Sequence, residues 1–427
     1  MSRRVDVLVA GSGMAGLVAA LTAAHAGCSV RLISAGMGSL ALSGGNIDLL
    51  GYVNGKRVSD PWQGMHELAP GHPYRLLGES TVRAALDFFQ NAMADSGWPM
   101  HTGLADGRPC NTDVPTILGT LKPTWLLPAA LDPAVLQTAR RVLVASIHGL
   151  RDCRPSLVIG QLRRYRGWAE KSFTPALLPA PQEGAPRSIT ALDMARLADK
   201  PHTRQWLLEA LAPYAGQYDL VLLPPVCGSG AEPEIFRAMS SAVGCPVMEM
   251  LSIPPGVGGL RLRAALLRSL NRHDFMLVEN STVLRAETAE GACAALLADT
   301  TLGERRHTAK AFVLATGGVL GGGIAVTPGK IRESVFGMEI PVPPDVASWS
   351  EEDVFGNHAF SRMGVSVDGD MRPVGQDAPQ ARNVFFAGRS IGGYDFSAEK
   401  SGYGVAIATG WQAGRAAAAV ALAGEER

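Results

Sequence analysis

The stretch from Val5 to Leu21 constrains this chain more than any other. A run of branched apolar residues, Val5 to Ala10, meets Gly11, Gly13 and Gly16 and passes directly into an alanine-rich helical pattern. That order specifies a strand, a tight turn and a helix. Gly11 makes the turn, Gly13 lets a phosphate approach the backbone, and Gly16 lets the helix pack closely on the strand. Unpaired N–H groups at the helix start, reinforced by the helix dipole, can then hold an anionic phosphate without a basic side chain.

A lone G-x-G-x-x-G is a weak signal. Residues 7 to 30 carry no formal charge and follow Arg3 and Arg4, a pattern shared with targeting segments and membrane spans. Context opposes that alternative. Asp6 stands in front of the apolar run, glycines interrupt it at phosphate-loop spacing, and a second strand pattern, Cys28 to Ser34, follows Gly27 at the βαβ distance. The expectation is an α/β, Rossmann-like fold of the FAD/NAD(P)-binding kind: three layers, a parallel sheet with a β-meander, and an inserted, mainly helical second lobe.

Composition narrows the function. At 427 residues and 47% hydrophobic the chain can bury a large core, and a formal net charge of zero gives no reason to expect nucleic acid or an anionic membrane surface. The six cysteines (Cys28, Cys110, Cys153, Cys227, Cys245, Cys293) form no C-x-x-C and no cluster, and the histidines show no ligand spacing, so no iron–sulfur or zinc site is expected within this chain. Residues 311 to 329 are uncharged, but six glycines and Pro328 argue against a membrane span there.

The expected organisation is an N-terminal part of the nucleotide-type domain over residues 1–59, an inserted lobe over 60–246, and the remainder of the first domain over 247–427. Residues 36 to 51 are too rich in glycine for a helix. Either the backbone there approaches something closely or it makes an ordinary long surface turn, and Ser43, Gly44, Gly45 and Asn46 suit both. Helical spacing marks Ser80 to Ser96, Pro133 to Leu150, Ser188 to Ala198 and His202 to Tyr214, and a buried strand is expected at Tyr218 to Leu223. A helix over Gly259 to Leu270 precedes three strand-like segments, Phe275 to Arg285, Ala292 to Thr300 and His307 to Ala315, which read as the meander. The last runs into Ala315, Thr316, Gly317 and Gly318. A short strand at Asn383 to Phe386 then delivers Ala387, Gly388 and Arg389, and a long helix beginning near Gly404 and Val405 closes the chain.

In that order these signals resemble flavoproteins of the glutathione-reductase and fumarate-reductase kind. A strand ending in Ala-Thr-Gly-Gly brings the chain of such proteins back beside the first phosphate loop, and the start of the last helix faces the flavin ring. The acid that bonds an adenosine ribose, about 20 residues after the loop, is missing: the position falls at or near Ser34, and no acidic residue stands between Asp6 and Asp48. Either FAD is held by other contacts or the cofactor ends at the flavin phosphate, which is FMN. No arginine follows the second strand closely enough to meet the 2′-phosphate of NADP.

The resemblance narrows further at residues 7–17, 43–50, 254–262 and 386–393. Together they are similar to the B subunits of anaerobic glycerol-3-phosphate dehydrogenases, over essentially the whole chain. Ser43-Gly-Gly-Asn-Ile-Asp-Leu-Leu50 is the most specific part. The resemblance implies an FMN-containing subunit that works with two others: an FAD-containing, catalytic A subunit, and a membrane-bound, iron–sulfur C subunit. It also implies oxidation of sn-glycerol 3-phosphate to dihydroxyacetone phosphate, with electrons passing to quinone, in a cytoplasmic protein held at the inner membrane through a partner.

Under this reading Gly11, Gly13, Met14, Ala15 and Gly16 cradle the phosphate, with Ser34 at its edge. Ser43, Gly44, Gly45 and Asn46 line the ribityl chain and ring, Thr316 and Gly317 return beside the loop, and Gly388, Arg389, Gly404 and Val405 bracket the pyrimidine side. No general base is assigned. Asp395, Glu399 and Lys400 neighbour the last loop in sequence and read equally well as solvated surface residues. Two alternatives stay open: a self-sufficient FAD dehydrogenase of the fumarate-reductase type, and a flavin-free structural subunit that stabilises a catalytic partner.

Overall fold

The computed structural model describes residues 4–181, 188–354, 356, 358–375 and 381–423; Arg3 of the N-terminal arginine pair lies outside them. The first strand, β1 (Val5–Ala10), has apolar residues without polar alternation, a pattern that requires cover on both faces. It lies at the centre of a five-stranded sheet. On one side are β2 (Val30–Ile33) and then Phe275–Val278; on the other are Ala309–Leu314 and Val384–Phe386. Every pairing is parallel. Val7, Leu8, Val9 and Ala10 are wholly buried.

The helix that follows, α1 (Met14–His25), packs against the closing helix Gly402–Leu422. Small residues set their separation. A Cβ at Gly410 would overlap the carbonyl oxygen of Ala15, and one at Gly414 would sit 2.6 Å from the carbonyl oxygen of Ala19.

The chain divides into two compact units. The first comprises Met1–Ser39, Leu49–Ala92 and Leu266–Arg427 and holds the five-stranded sheet. It also holds a meander of Ser281–Ala289, Ala292–Thr300 and Gly303–His307. This differs from the segments expected. Phe275 to Arg285 is broken at Asn280, which takes a left-handed φ of 53°, so its first half joins the parallel sheet. The meander's third strand is the polar run before Ala309, because an antiparallel edge needs backbone partners more than apolar side chains.

The second unit comprises Leu40–Asp48 and Met93–Ala265. It is not mainly helical. Its centre is a four-stranded parallel sheet in the order Ser172–Leu178, Arg141–Ile147, Leu220–Leu223, Val247–Glu249. The helix expected over Pro133 to Leu150 is a short helix, Pro133–Thr138, followed by the strand Arg141–Ile147. The helices expected near Ser80, Ser188, His202 and Gly259 are present as Glu79–Asp95, Ala191–Leu197, Pro201–Leu211 and Val257–Leu270. Among the described residues no helix is long and apolar enough to cross a membrane.

Candidate cofactor site

In the first unit the turn between β1 and α1 is shaped by backbone alone. Gly11 has φ +106°, and its N–H donates to the carbonyl of Ile33 at 2.8 Å, which anchors the turn to the end of β2. A Cβ at Gly16 would overlap the carbonyl oxygen of Gly11, so helix and strand touch there. Gly13 is different. A Cβ on it would meet no atom of the described residues within 4 Å, so the space above it is open among them. Gly13 caps α1 without a side-chain hydrogen bond, and the first turn, Met14-Ala15-Gly16, carries no acid. Open space, uncapped N–H groups and a positive helix end fit the phosphate end of a flavin or nucleotide.

Ser34 closes one side of this cradle. Its Oγ lies 2.6 Å from Ser12 Oγ and donates to the carbonyl of Gly36 at 2.8 Å, while Ser12 Oγ reaches the same carbonyl at 2.7 Å. Both serines are buried. The loop then passes so near the helix entry that a Cβ at Gly38 would be 3.4 Å from Gly13 Cα. Ser34 after β2, paired with Ser12 of the turn, therefore presents a hydroxyl where a ribose-binding protein of this design presents a carboxylate. Ser12, the variable residue of the G-x-G turn, carries no sequence signal of this role.

Two distant segments return to the same turn. A Cβ at Gly388 (φ +69°) would be 2.7 Å from the Ala15 side chain, and the N–H of Gly388 donates to Thr409 Oγ1 of the closing helix at 3.0 Å. A Cβ at Gly11 would overlap the carbonyl oxygen of Ala315, which places Thr316 and Gly317 next to the turn. Ser390 ties the two segments together: its Oγ accepts from the Gly317 N–H at 3.2 Å and lies 3.4 Å from Thr316 Oγ1. Gly11, Gly13, Ala15, Thr316, Gly317 and Gly388 are thus brought together by the fold. Ser390 and Thr409, which hold this arrangement, carried no signal beyond their place after Gly-Arg and in an apolar helix.

Arg389 points along the other side of this loop. Its Nη2 donates to the carbonyl of Ser361 at 2.7 Å, and its guanidinium lies 4.8 Å from the Phe396 ring centre and 5.4 Å from that of Tyr394. Burial pushes the Tyr394 phenol up to about 12, against the pull of Arg389. At the closing helix, the bare face of Gly404 is filled. A Cβ there would overlap Tyr74 Oη and come within 2.9 Å of Leu49 Cα. Val405 is wholly buried, and its N–H donates to Ser401 at 2.9 Å within the helix.

Asp395 and Glu399 are not surface residues. Burial raises the Asp395 carboxyl, but Ser361 Oγ at 2.5 Å and the N–H groups of Ser397 and Ala398 outweigh it and hold the group below its usual range. Glu399 Oε2 is 3.1 Å from His72 Nε2 and accepts from Ser401 Oγ at 2.8 Å. His72 Nδ1 in turn accepts from the N–H of Tyr74 at 3.0 Å, so both ring nitrogens are engaged. Lys400 sits in the left-handed region at φ +51°.

Ser43, Gly44, Gly45 and Asn46 belong to the second unit, where the loop is locked by backbone contact. A Cβ at Gly45 would be 2.6 Å from Gly258 Cα; Cβ atoms at Gly256 and Gly259 would overlap the carbonyl oxygens of Ser43 and Leu40. The loop at 43–46 and the glycine run at 256–259 are therefore one interlocked structure. Asn46 Nδ2 donates to Asp48 at 2.5 Å and to Thr124 at 2.9 Å, and Asp48 pairs with Lys122 at 2.6 Å.

Fold and phosphate cradle define a class: a flavoprotein of the oxidoreductase kind. A family model described as an FAD binding domain matches residues 6–405. The B subunit of the probable anaerobic glycerol-3-phosphate dehydrogenase of Halobacterium salinarum is 32% identical over 442 residues, covering 98% of this chain and 99% of that protein. Its counterpart from the anaerobic glycerol-3-phosphate dehydrogenase of Vibrio vulnificus is 29% identical over 419 residues, covering 95% and 94%. Among solved structures, the open conformation of a flavocytochrome c3 fumarate reductase aligns with a TM-score of 0.46 and 12% identity over 99% of this chain and 79% of that one. The chain belongs to the FAD-binding-domain family and, within it, to the family of anaerobic glycerol-3-phosphate dehydrogenase B subunits.

Proposed function

We propose that this chain is the FMN-carrying subunit of a quinone-linked glycerol-3-phosphate dehydrogenase. In this reading the complex oxidises sn-glycerol 3-phosphate to dihydroxyacetone phosphate. It is completed by an FAD-containing A subunit, which is catalytic, and by a membrane-bound iron–sulfur C subunit, through which this chain is held at the inner membrane. The observation that carries the reading is the end-to-end relationship, at 32% identity, to a B subunit.

A flavin, when bound, supplies a centre that takes up two electrons and can release them singly. The chain's own part is to hold and orient it. The first-turn N–H groups at Met14, Ala15 and Gly16 bind the phosphate, Gly13 leaves the room for it, and Thr316, Gly317 and Gly388 fix the turn from the opposite side. Ser34 favours FMN, since a serine hydroxyl already bonded to Ser12 and Gly36 leaves no carboxylate for an adenosine ribose. The description of the matching family as an FAD binding domain favours the second reading, in which FAD is held by other contacts.

The test is to purify the chain without partners, denature it and identify the released flavin by chromatography. FMN supports the proposal. FAD, together with turnover of the isolated chain on a dye acceptor, replaces it with the self-sufficient dehydrogenase. A colourless chain that stays colourless in the assembled complex leaves the reading as a purely structural component.

A further inference from the structure

The first unit carries a second concavity whose walls take no part in the phosphate cradle. It has a volume of about 540 Å³, within the range of small-molecule sites. Its walls are mostly apolar: Leu76, Pro341, Met363, Val365 and Val367 line it, and the one charged side chain among the lining residues is Arg362.

The floor is fixed by backbone pairing. Val365 N–H donates to Ser390 at 2.9 Å, Gly392 N–H returns to Val365 at 3.1 Å, and Gly393 N–H donates to the carbonyl of Arg362 at 2.9 Å. A Cβ at Gly364 would overlap the backbone N of Gly392, so the two segments lie in direct contact. With those N–H and C=O groups spent on one another, the floor offers carbon rather than hydrogen bonds. Met363 joins this wall to a buried apolar cluster of Ile324, Ile331, Ile340 and Trp349, which supports it.

Arg362 is exposed at the rim. Among the described residues its guanidinium has no ion pair or hydrogen bond. The one carboxylate that its charge influences, Asp395, carries no hydrogen bond from it and is already bonded to Ser361, Ser397 and Ala398. A guanidinium left over an apolar trough is the arrangement that receives a planar or tetrahedral oxyanion carried on a carbon body, the charge meeting the fork and the chain lying on the wall.

We propose that this groove binds a small amphiphilic organic anion, a phosphate or carboxylate head on Arg362 with its hydrocarbon body along Met363, Val365 and Val367. The site goes beyond the flavin reading and does not depend on it. Both heads share the chemistry that Arg362 recognises.

The test is titration calorimetry of the full chain, as purified with whatever flavin it holds, against hexyl phosphate, hexanoate and inorganic phosphate. Binding of at least one hexyl ligand is expected, ten-fold or more tighter than inorganic phosphate; comparison of the two hexyl ligands identifies the preferred head. Arg362→Gln should weaken the hexyl ligand ten-fold or more while leaving flavin content and melting temperature unchanged. Val367→Ser should weaken the hexyl ligand but not inorganic phosphate. Hydrogen exchange should slow at residues 362–367 on ligand addition. No saturable binding, an unchanged affinity in Arg362→Gln, or equal affinity for hexyl phosphate and phosphate would overturn the proposal, whatever the flavin content proves to be.

Discussion

Ser12 and Ser34 hold their hydroxyl oxygens 2.6 Å apart, and both reach the carbonyl of Gly36, at 2.7 and 2.8 Å. The Gly36 N–H in turn donates to Ser34 Oγ at 3.1 Å, so the pair is bonded to itself and to Gly36 at the place where a ribose diol would meet a carboxylate. Replacing Ser34 by alanine should cost about 1 kcal/mol in urea unfolding, the net worth of a buried hydrogen bond. The flavin released should keep its identity, because this hydroxyl bounds the site without anchoring an adenosine. A switch of the released flavin in Ser34→Ala would contradict that.

Gly13 and Gly16 should separate binding from folding. Gly13→Val enters open space and keeps the extended backbone (φ −70°, ψ 178°), so its melting temperature should change little while flavin per chain falls sharply. Gly16→Ala drives a methyl into the backbone of Gly11 and should destabilise the fold by about 1–3 kcal/mol or more, as overpacking does. Thermal unfolding and absorbance at the flavin band read the two effects on one sample.

In the second unit Arg261 and Glu249 form a buried ion pair, with Arg261 Nη2 at 3.2 Å from Glu249 Oε1 and Arg261 Nε donating to Gly228 at 3.0 Å. Arg261→Met leaves a carboxylate buried without its partner. The expected loss is about 3–5 kcal/mol. Adding Glu249→Gln should recover part of it, and urea midpoints of the single and double variants check the coupling.

Stability should fall as pH drops below about 6.5. Burial holds His101, His273 and His307 below their ordinary value, with Asp132 opposing the shift at His101 and neighbouring cations adding to it at the other two. Well above pH 6.5 all three are neutral both folded and unfolded. Below it the unfolded chain takes up protons first, so stability is lost until the folded imidazoles also titrate. Both ring nitrogens of His307 are buried and, among the described residues, have no hydrogen-bond partner. His307→Phe should therefore flatten the fall between pH 6.5 and 5, measured as urea midpoints against pH.

Some of this was legible in the residues and some could not be. The turn was readable because Gly11 and Gly16 each answer a steric demand that no other residue meets, while Gly13 keeps the space above the helix start open. The strand Arg141–Ile147 was hidden: a run such as Val142-Leu-Val-Ala-Ser-Ile147, covered on both faces by a parallel sheet, has no alternation to distinguish it from a buried helix. Gly404 shows the limit at the other end of the chain. A glycine at a helix start signals close approach, but only the fold discloses that Tyr74 and Leu49 are what approach it. Asp395 and Glu399 likewise gave no hint that backbone and side-chain donors from Ser361, Ser397, Ser401 and His72 would enclose them.

The order of strands in the central sheet has a consequence in time. β1 is flanked by β2 and by Ala309–Leu314, while the two edges come from Phe275–Val278 and Val384–Phe386. A ribosome must therefore deliver some three hundred residues before the strand that opens the chain finds its second neighbour. Until then one flank of β1 is an unpaired template of N–H and C=O groups, open to wrong partners. Such long-range closure is slow. The turn at Gly13 is thus among the last features of the first unit to be completed, since Ala315 and Gly388 arrive only with the last two strands of the sheet in chain order, and a cofactor held by all of them can be captured only after Gly388 has been made.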